Sequence, residues 1–424
     1  MSLKITSDSW QGKPLETMQQ QQLVLVKEYD EDRHKLGVEQ METICEVGQG
    51  ENMSLVTDLM GDPLCRIRHF PVHLMLVAEY GEEVVGVIRG CVKTVTRGRS
   101  VYVKLAYVLG LRVSPTHRRL GIGTKLISHL EEWCKQQGAE YAYMATDCTN
   151  EASVNLFTKK SGYSRFRTLT MLVQPVHAHD KPISSSISVI RLAPSIAASI
   201  YNHIFANAEF YPKDIDAILT NNLNLGTFIA ISNETVKEWE PGTGIPPPDY
   251  AITSVWNTKE VYKLQVKGIP AWKRAFCTGT RVLDTWLPCL RVPSFPDVFR
   301  PFGVYMMYGL HMEGEGGKEL MKWVCDFVHN MGKDDNDDGE GGGCGAVVGE
   351  LNVWDPAKEA VPHWRRFSWA EDMWCIKKLE TEEYAKPKEE EDDEKEKQDK
   401  REDWIASGSS FSSSSVIFVD PRDF

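Results

Sequence analysis

The chain has ten cysteines but no C-x-x-C pair and no group of histidines at zinc-ligand spacing. That scatter argues against a structural metal site and against a disulfide framework, so no metal and a reducing compartment are expected. No apolar run approaches the roughly 20 residues that a membrane-spanning helix needs. The opening MSLKITSDSWQGKPLETMQQQQ also lacks the apolar core of a secretory leader. A soluble protein of the nucleus or cytoplasm, without membrane contact, is the expectation. Basic surface is scarce too. Of the net charge of -12, Asp334 to Glu340 contributes five acids and no base, and Lys386 to Asp403 ten acids against six bases. The remainder is nearly neutral, which argues against a face that wraps nucleic acid.

What the chain does have is a repeated order of elements. LVLVKEYD (23–30) reads as a strand and LGVEQMETICEVG (36–48) as a helix. VHLMLVAEYGEEVVGVIRGCVKTV (72–95) holds two apolar runs around a glycine turn, the signature of a hairpin. KLAYVLGLRV (104–113) is a third strand. TKLISHLEEWCKQQG (124–138) sets Leu126, Ile127, Leu130 and Trp133 at helical spacing before a glycine stop. AEYAYMATD is strand-like, NEASVNLFTKKSGY is a helix closed by Gly162, and RTLTMLVQPV is a last strand. These make one α+β unit over 23–178.

The same grammar returns in SVIRLAPSIAASIYNHIF, in LGTFIAI and YAITSVWNT, and in PFGVYMMYGLHMEGEGGKELMKWVCDFVHNMG followed by CGAVVGELN. A tandem pair of mixed-sheet units follows, the second over 179–385 with an acidic insertion at 333–343. Residues 1–22 read as a disordered tail and 386–415 as a charged and Ser-rich linker. Residues 416–424 read as a C-terminal strand docking on the second unit.

The chemistry centres on VSPTHRRLGIGTKL, where Arg118, Gly121 and Gly123 have the spacing R-x-x-G-x-G between a strand and a helix. Glycines let successive backbone N–H groups converge, and the helix start adds its positive dipole end, so a pyrophosphate can be held without metal. A Walker loop would need Gly-Lys-Thr, and the order here is Gly-Thr-Lys. A Rossmann loop would need glycine where Leu126 stands.

This loop, preceded by LRVSP and followed by Asn150, Ser153, Leu156, Phe157, Gly162 and Tyr163 at the spacing N-x-x-A-x-x-L-Y-x-x-x-x-G-F, resembles the acetyl-CoA site of the GCN5-related N-acetyltransferase (GNAT) family. More narrowly, CEVG, TDLMGDPLCRIRH, MLVAE, IRGCVKTV and VDPRDF resemble the plant hookless-type probable N-acetyltransferases. The resemblance implies tandem GNAT-like domains, the second degenerate, and acetyl transfer from acetyl-CoA to a primary amine by direct attack in a ternary complex. A protein lysine, for example in a histone tail, is the implied acceptor, and a role in plant growth and hormone response is implied with it.

Carried onto this chain, the resemblance implies that backbone N–H groups of Arg118, Arg119, Leu120, Gly121, Ile122, Gly123 and Thr124 hold the pyrophosphate. Leu111 and Val113 would pair with the pantetheine arm, and an N–H of one of them would polarise the thioester carbonyl. Asn150 would fasten the arm.

An acceptor lysine is almost wholly protonated near neutrality, so a base is needed. Leu105 to Val113 contains no Asp or Glu, so the carboxylate that relatives place there is missing. Asp147 is the leading substitute, although it also fits a turn ahead of the next helix. Glu79 and His73 on the hairpin are further candidates. Phe157 stands where relatives carry a tyrosine, so no hydroxyl is available there to protonate the leaving thiolate. That absence favours the alternative of a weak or inactive acyl-CoA-binding regulator. In the second unit, Gly314, Gly316 and Gly317 repeat the glycine turn, but Glu313 and Glu315 would repel a pyrophosphate. A structural or acceptor-recognising second half is therefore expected.

Overall fold

The computed structural model describes residues 24–44, 47–48, 54–98, 101–337, 343–365, 368–380, 404 and 416–424. The tail 1–22, residues 338–342 of the acidic insertion and the linker 386–415 apart from Trp404 lie outside the described residues.

The first half runs β1 (Val24–Glu28), α1 (Glu31–Ile44), β2 (Val72–Tyr80), β3 (Glu83–Arg97), β4 (Tyr102–Val113), α2 (Ile122–Gln136), β5 (Tyr141–Asp147), α3 (Glu151–Asn155) and β6 (Ser164–Pro175). The second half runs β7 (Ile187–Leu192), α4 (Pro194–Ile204), β8 (Glu209–Pro212), β9 (Asn224–Ser232), β10 (Tyr250–Asn257), α5 (Ala271–Trp286), β11 (Gly303–Glu313), α6 (Gly317–Asp337), β12 (Cys344–Asn352) and β13 (Trp369–Lys378). Local causes are visible at several ends. Asp30 accepts from the Arg33 N–H ahead of α1, Gly121 caps α2 with φ 83°, and Gly138 ends it with φ 79°.

One 13-stranded sheet unites the halves, in the order β1-β2-β3-β4-β5-β13-β6-β12-β11-β10-β9-β7, with β8 pairing on β3. The order shows an exchange. β13, from the end of the second half, lies antiparallel between β5 and β6, whereas β6, from the end of the first, lies antiparallel to β12. Each half therefore gives its last strand to the other. Parallel pairing occurs at β4 with β5 and at β11 with β12, the two places where a helical crossover joins neighbouring strands.

The halves also share a local irregularity. Opposite Ile88 stand both Gly110 and Leu111, and opposite Thr253 stand both Gly309 and Leu310. Gly110 has φ 62° and Gly309 φ 60°, a conformation that glycine adopts without strain. Each is a β-bulge, on β4 and β11 respectively.

Three apolar clusters hold the layers. One lies between α2 and the first half of the sheet, around Ile122, Leu126, Leu130 and Cys134. Another lies between α6 and the second half, around Met321, Val324, Cys325 and Val328. The third covers the opposite face of both halves and includes Met41, Phe70, Tyr143, Tyr201, Phe210, Trp374 and Phe418.

Residues 416–424, expected as a strand on the second unit, form a single bridge from Ile417 to Glu209 and then a 3-10 turn. That turn reaches into the first half. Lys93 Nζ donates to both oxygens of Asp423 at 2.7 Å, and Arg422 forks onto Asp420 and Asp214. Lys93 and Asp420 are buried, so the charges are matched out of water.

Candidate active site

The strands β4 and β5 pair only at Leu105 with Tyr141, Ala106 with Ala142 and Tyr107 with Tyr143. Beyond that point the two no longer pair with each other, although β4 stays on β3 to Val113 and β5 on β13 to Asp147, and a wedge-shaped opening is left between parallel strands. The Gly110 bulge sits on one wall of this wedge. It is backed by Arg89, whose Nη1 donates to Glu42 of α1 at 2.8 Å and whose Nε donates to the Pro63 carbonyl at 2.8 Å. A Cβ on Gly110 would stand 2.8 Å from Arg89 Nη1, so glycine is required by space as well as by φ.

At the mouth of the wedge, Arg119 has φ 66° and Gly121 φ 83°. Two left-handed residues so close together bend the loop, and no side chain caps the first turn of α2. The backbone N–H groups that start this helix therefore face the mouth unclaimed by a cap. Arg118 and Arg119 are exposed beside them, and Arg118 Nε donates to the Val113 carbonyl at 3.4 Å. Gly123 is pressed from the other side: a Cβ there would lie 3.2 Å from Leu156 and 3.8 Å from Val113. Leu120, Ile122 and Thr124 complete the turn, and Leu111 and Val113 are half-buried along the wedge. The donors, the bulge and the cradle at Gly123 fit a coenzyme with a pyrophosphate head and a thioester arm.

Asn150 caps α3 by accepting from the Ser153 N–H at 3.2 Å. Phe157 is buried edge-on against Tyr163 in the cluster below α2, within a π-helical turn over Leu156–Lys160. Asp147 Oδ1 accepts from both the N–H and the hydroxyl of Thr149, at 2.7 and 2.6 Å, which fixes the turn leading to α3. Glu79 is buried between Lys27, 2.6 Å away, and His34, 2.8 Å away. The Lys27 hydrogen bond holds its carboxyl below the ordinary value against the opposing effect of burial. His73 uses Nδ1 on the Phe70 carbonyl at 2.7 Å.

The exchange of strands places further residues on the sheet face beside β5, and sequence reasoning missed them. Asp372 of β13 stands directly opposite Asp147 of β5 and shares its face. On the same face, Glu350 of β12 stands opposite Met171 of β6. Burial, then Asp147, raises the Asp372 carboxyl to about 6. Burial, then Asp372 and Asp423, raises Glu350 to about 8. Trp374 lies buried on this face too, and its indole N–H, directed at Glu350, works against that rise. The acid in AEDMWC is the one sequence signal for Asp372, and the glycine inside YVLGLRV is the signal for the bulge.

The second glycine turn is built differently. Gly314 takes φ 86°, and Asp249 Oδ1 accepts from the Gly316 N–H at 3.2 Å. A Cβ on Gly314 would collide with that carboxylate. The start of α6 thus holds an anion supplied by the chain itself. Among the described residues no group of three or more His, Cys, Asp or Glu side chains is arranged to hold a metal ion.

Comparison with known proteins gives a family model described as "Acetyltransferase (GNAT) family", matched over residues 41–163. Two Arabidopsis thaliana proteins, "Probable N-acetyltransferase HLS1-like" and "Probable N-acetyltransferase HLS1", are 44% and 45% identical over 95% of this chain and 99% and 100% of theirs. "Acetyl transferase GW6a" of Oryza sativa subsp. japonica is 39% identical over 95% of this chain and 98% of its own. Among solved structures, N-myristoyltransferase of Saccharomyces cerevisiae matches with a TM-score of 0.50 and 8% identity, over 84% of this chain and 82% of that one. A tandem GNAT protein from the clavulanic acid biosynthesis pathway matches with a TM-score of 0.45 and 12% identity, over 84% of this chain and 99% of that one.

Proposed function

The chain belongs to the acetyltransferase (GNAT) family, and from that premise we propose that it carries acetyl from acetyl-CoA to the side-chain amine of a protein lysine, histone tails being the expected class. One observation carries the reading. The bulged wedge between β4 and β5 opens at the glycine turn that starts α2, so thioester and pyrophosphate sites lie on one path.

In this reading the N–H groups of Arg118 to Thr124 bind the pyrophosphate, assisted by the α2 dipole. Leu111 and Val113 offer backbone pairing to the pantetheine arm. The bulge at Gly110 turns a backbone N–H toward the thioester oxygen, where it stabilises the negative charge that develops on attack. The coenzyme supplies the activated acetyl group. Asn150 shapes the α3 end of the arm's path by capping. Work in the nucleus or cytoplasm, in plant growth and hormone response, belongs to the same proposal and rests on the resemblance to the hookless-type sequences.

The test is titration calorimetry with acetyl-CoA on wild type and Gly121→Glu, together with thiol release in the presence of a histone-tail peptide mixture. Binding and peptide-dependent release in the wild type, both lost in the folded variant, are expected. Binding with no release on any amine would instead support the acyl-CoA-binding regulator that the missing hydroxyl at Phe157 favours.

A further inference from the structure

β4 carries no carboxylate, and four polar residues named from the sequence are committed elsewhere. Asp147 and Asn150 hold turns, Glu79 holds Lys27 and His34, and His73 holds a carbonyl. Asp372 is different. None of the described residues donates a hydrogen bond to its carboxylate, and it is half-buried on the face that Tyr143, Ala145 and Asp147 present. It lies one strand from β5, roughly 4.8 Å in the pairing direction. The chain reaches this place only because β13 crosses from the second half into the first.

We propose that Asp372 is the proton acceptor of the transfer reaction, and that the second half of the chain thereby completes the active site of the first. The inference rests on the acetyl-transfer reading above. The Asp372 carboxylate takes a proton from the acceptor ammonium and leaves a free amine. The amine nitrogen attacks the acetyl carbonyl carbon, the carbon–sulfur bond breaks, and the nitrogen's remaining surplus proton passes to the departing thiolate. Asp372 returns its proton to solvent before the next turnover. Asp147 from the first half and Asp372 from the second stand side by side, so an acceptor with a positive charge meets carboxylates supplied by both halves.

Position supports the assignment: Asp372 is half-buried on the face that both halves share, and none of the described residues donates to its carboxylate. The carboxyl's proton affinity, raised to about 6 by burial and by Asp147, also matches a base that works near neutrality. The charged group that acts on it is Asp147 from β5, and Glu350 from β12 feels Asp372 in turn. Activity is therefore expected to fall as pH drops through about 6, where Asp372 becomes protonated and can accept nothing.

The experiment compares wild type, Asp372→Asn, Asp372→Glu and Asp147→Asn in the full-length chain. Acetyl-CoA affinity is read by calorimetry, and kcat and its pH profile are read with a lysine-containing histone-tail peptide. Asp372→Asn should keep acetyl-CoA affinity and lose kcat by about a hundredfold or more, with the acid limb of the profile gone. Asp372→Glu should recover part of the rate, and Asp147→Asn should keep the limb but move it to lower pH, because a charge that raises Asp372 is gone. Normal kcat and an unchanged limb in Asp372→Asn would overturn the inference while leaving the function intact. A wild type that transfers acetyl to no amine would overturn the function itself, and this inference with it.

Discussion

At the scale of single residues, Asp249 explains why two similar glycine turns behave differently. Its carboxylate accepts from the Gly316 N–H at the start of α6, a place where an anion gains from both donor and dipole. Removing it in Asp249→Ala should cost about 1 kcal/mol, the usual order for a lost helix cap at a half-exposed site. A lower urea midpoint would register that loss. The variant should still bind acetyl-CoA once per chain, because Glu313 and Glu315 remain beside the turn. Two binding events by calorimetry would show that Asp249 alone keeps the second turn closed to the coenzyme.

Residues whose role has a local cause were readable in advance. Gly121 and Gly123 declare a turn by their spacing, and the bulge leaves its mark as a glycine inside an apolar strand. Asp372 and Glu350 were not readable. Their meaning depends on which strand lies alongside, and the partner of Asp372 is Asp147, more than half the chain away.

At the scale of elements, the exit of β6 is clamped by histidines. The His177 N–H donates to His329 Nε2 of α6 at 2.8 Å, its ring stacks on His179, and His179 Nδ1 meets Asp284 of α5 at 2.7 Å. Burial lowers His177 to about 4 and His329 to about 3. Both are thus neutral in the fold but take up a proton on unfolding below about 6.5. Their contribution is full above that value and is lost as pH falls, through about 4 for His177 and about 3 for His329. Each should add about 1.4 kcal/mol per pH unit to the slope of stability in that window. Urea midpoints measured from neutral to mildly acid pH should fall accordingly, and His329→Gln should flatten the curve.

The pattern method had no purchase on α5, the partner of this clamp. Trp272, Phe276 and Trp286 are exposed while Asp284 is buried, so the helix reverses the distribution that periodicity relies on. The β2–β3 hairpin, β4 and β5 were legible as apolar runs between glycine turns, buried on both faces, and α2 as a helix that repeats toward one buried face.

At the scale of the whole molecule, the tandem design was legible and the exchange was not. A strand such as TMLVQPV declares that it is a strand, but its neighbours are fixed by topology alone. In the fold it pairs with β12 and β13 and with no strand of its own half. Separately expressed 1–178 and 179–424 should therefore each lack a cooperative thermal transition, since β5 and β12 would end in open edges. Co-expression should restore one transition, followed by circular dichroism. Two independent stable halves would show that the exchange is dispensable.

The exchanged strand also sets a timetable for synthesis. β5 ends at Asp147, but its neighbour begins at Trp369, so the edge of β5 must wait while everything between is translated. At ordinary elongation speeds that wait lasts roughly 10–45 s, long enough for a nascent chain to meet chaperones or other open edges. A messenger cut short before β13 would thus yield a sticky fragment rather than a smaller enzyme, and the ribosome's pace through the second half governs how much of the first is rescued.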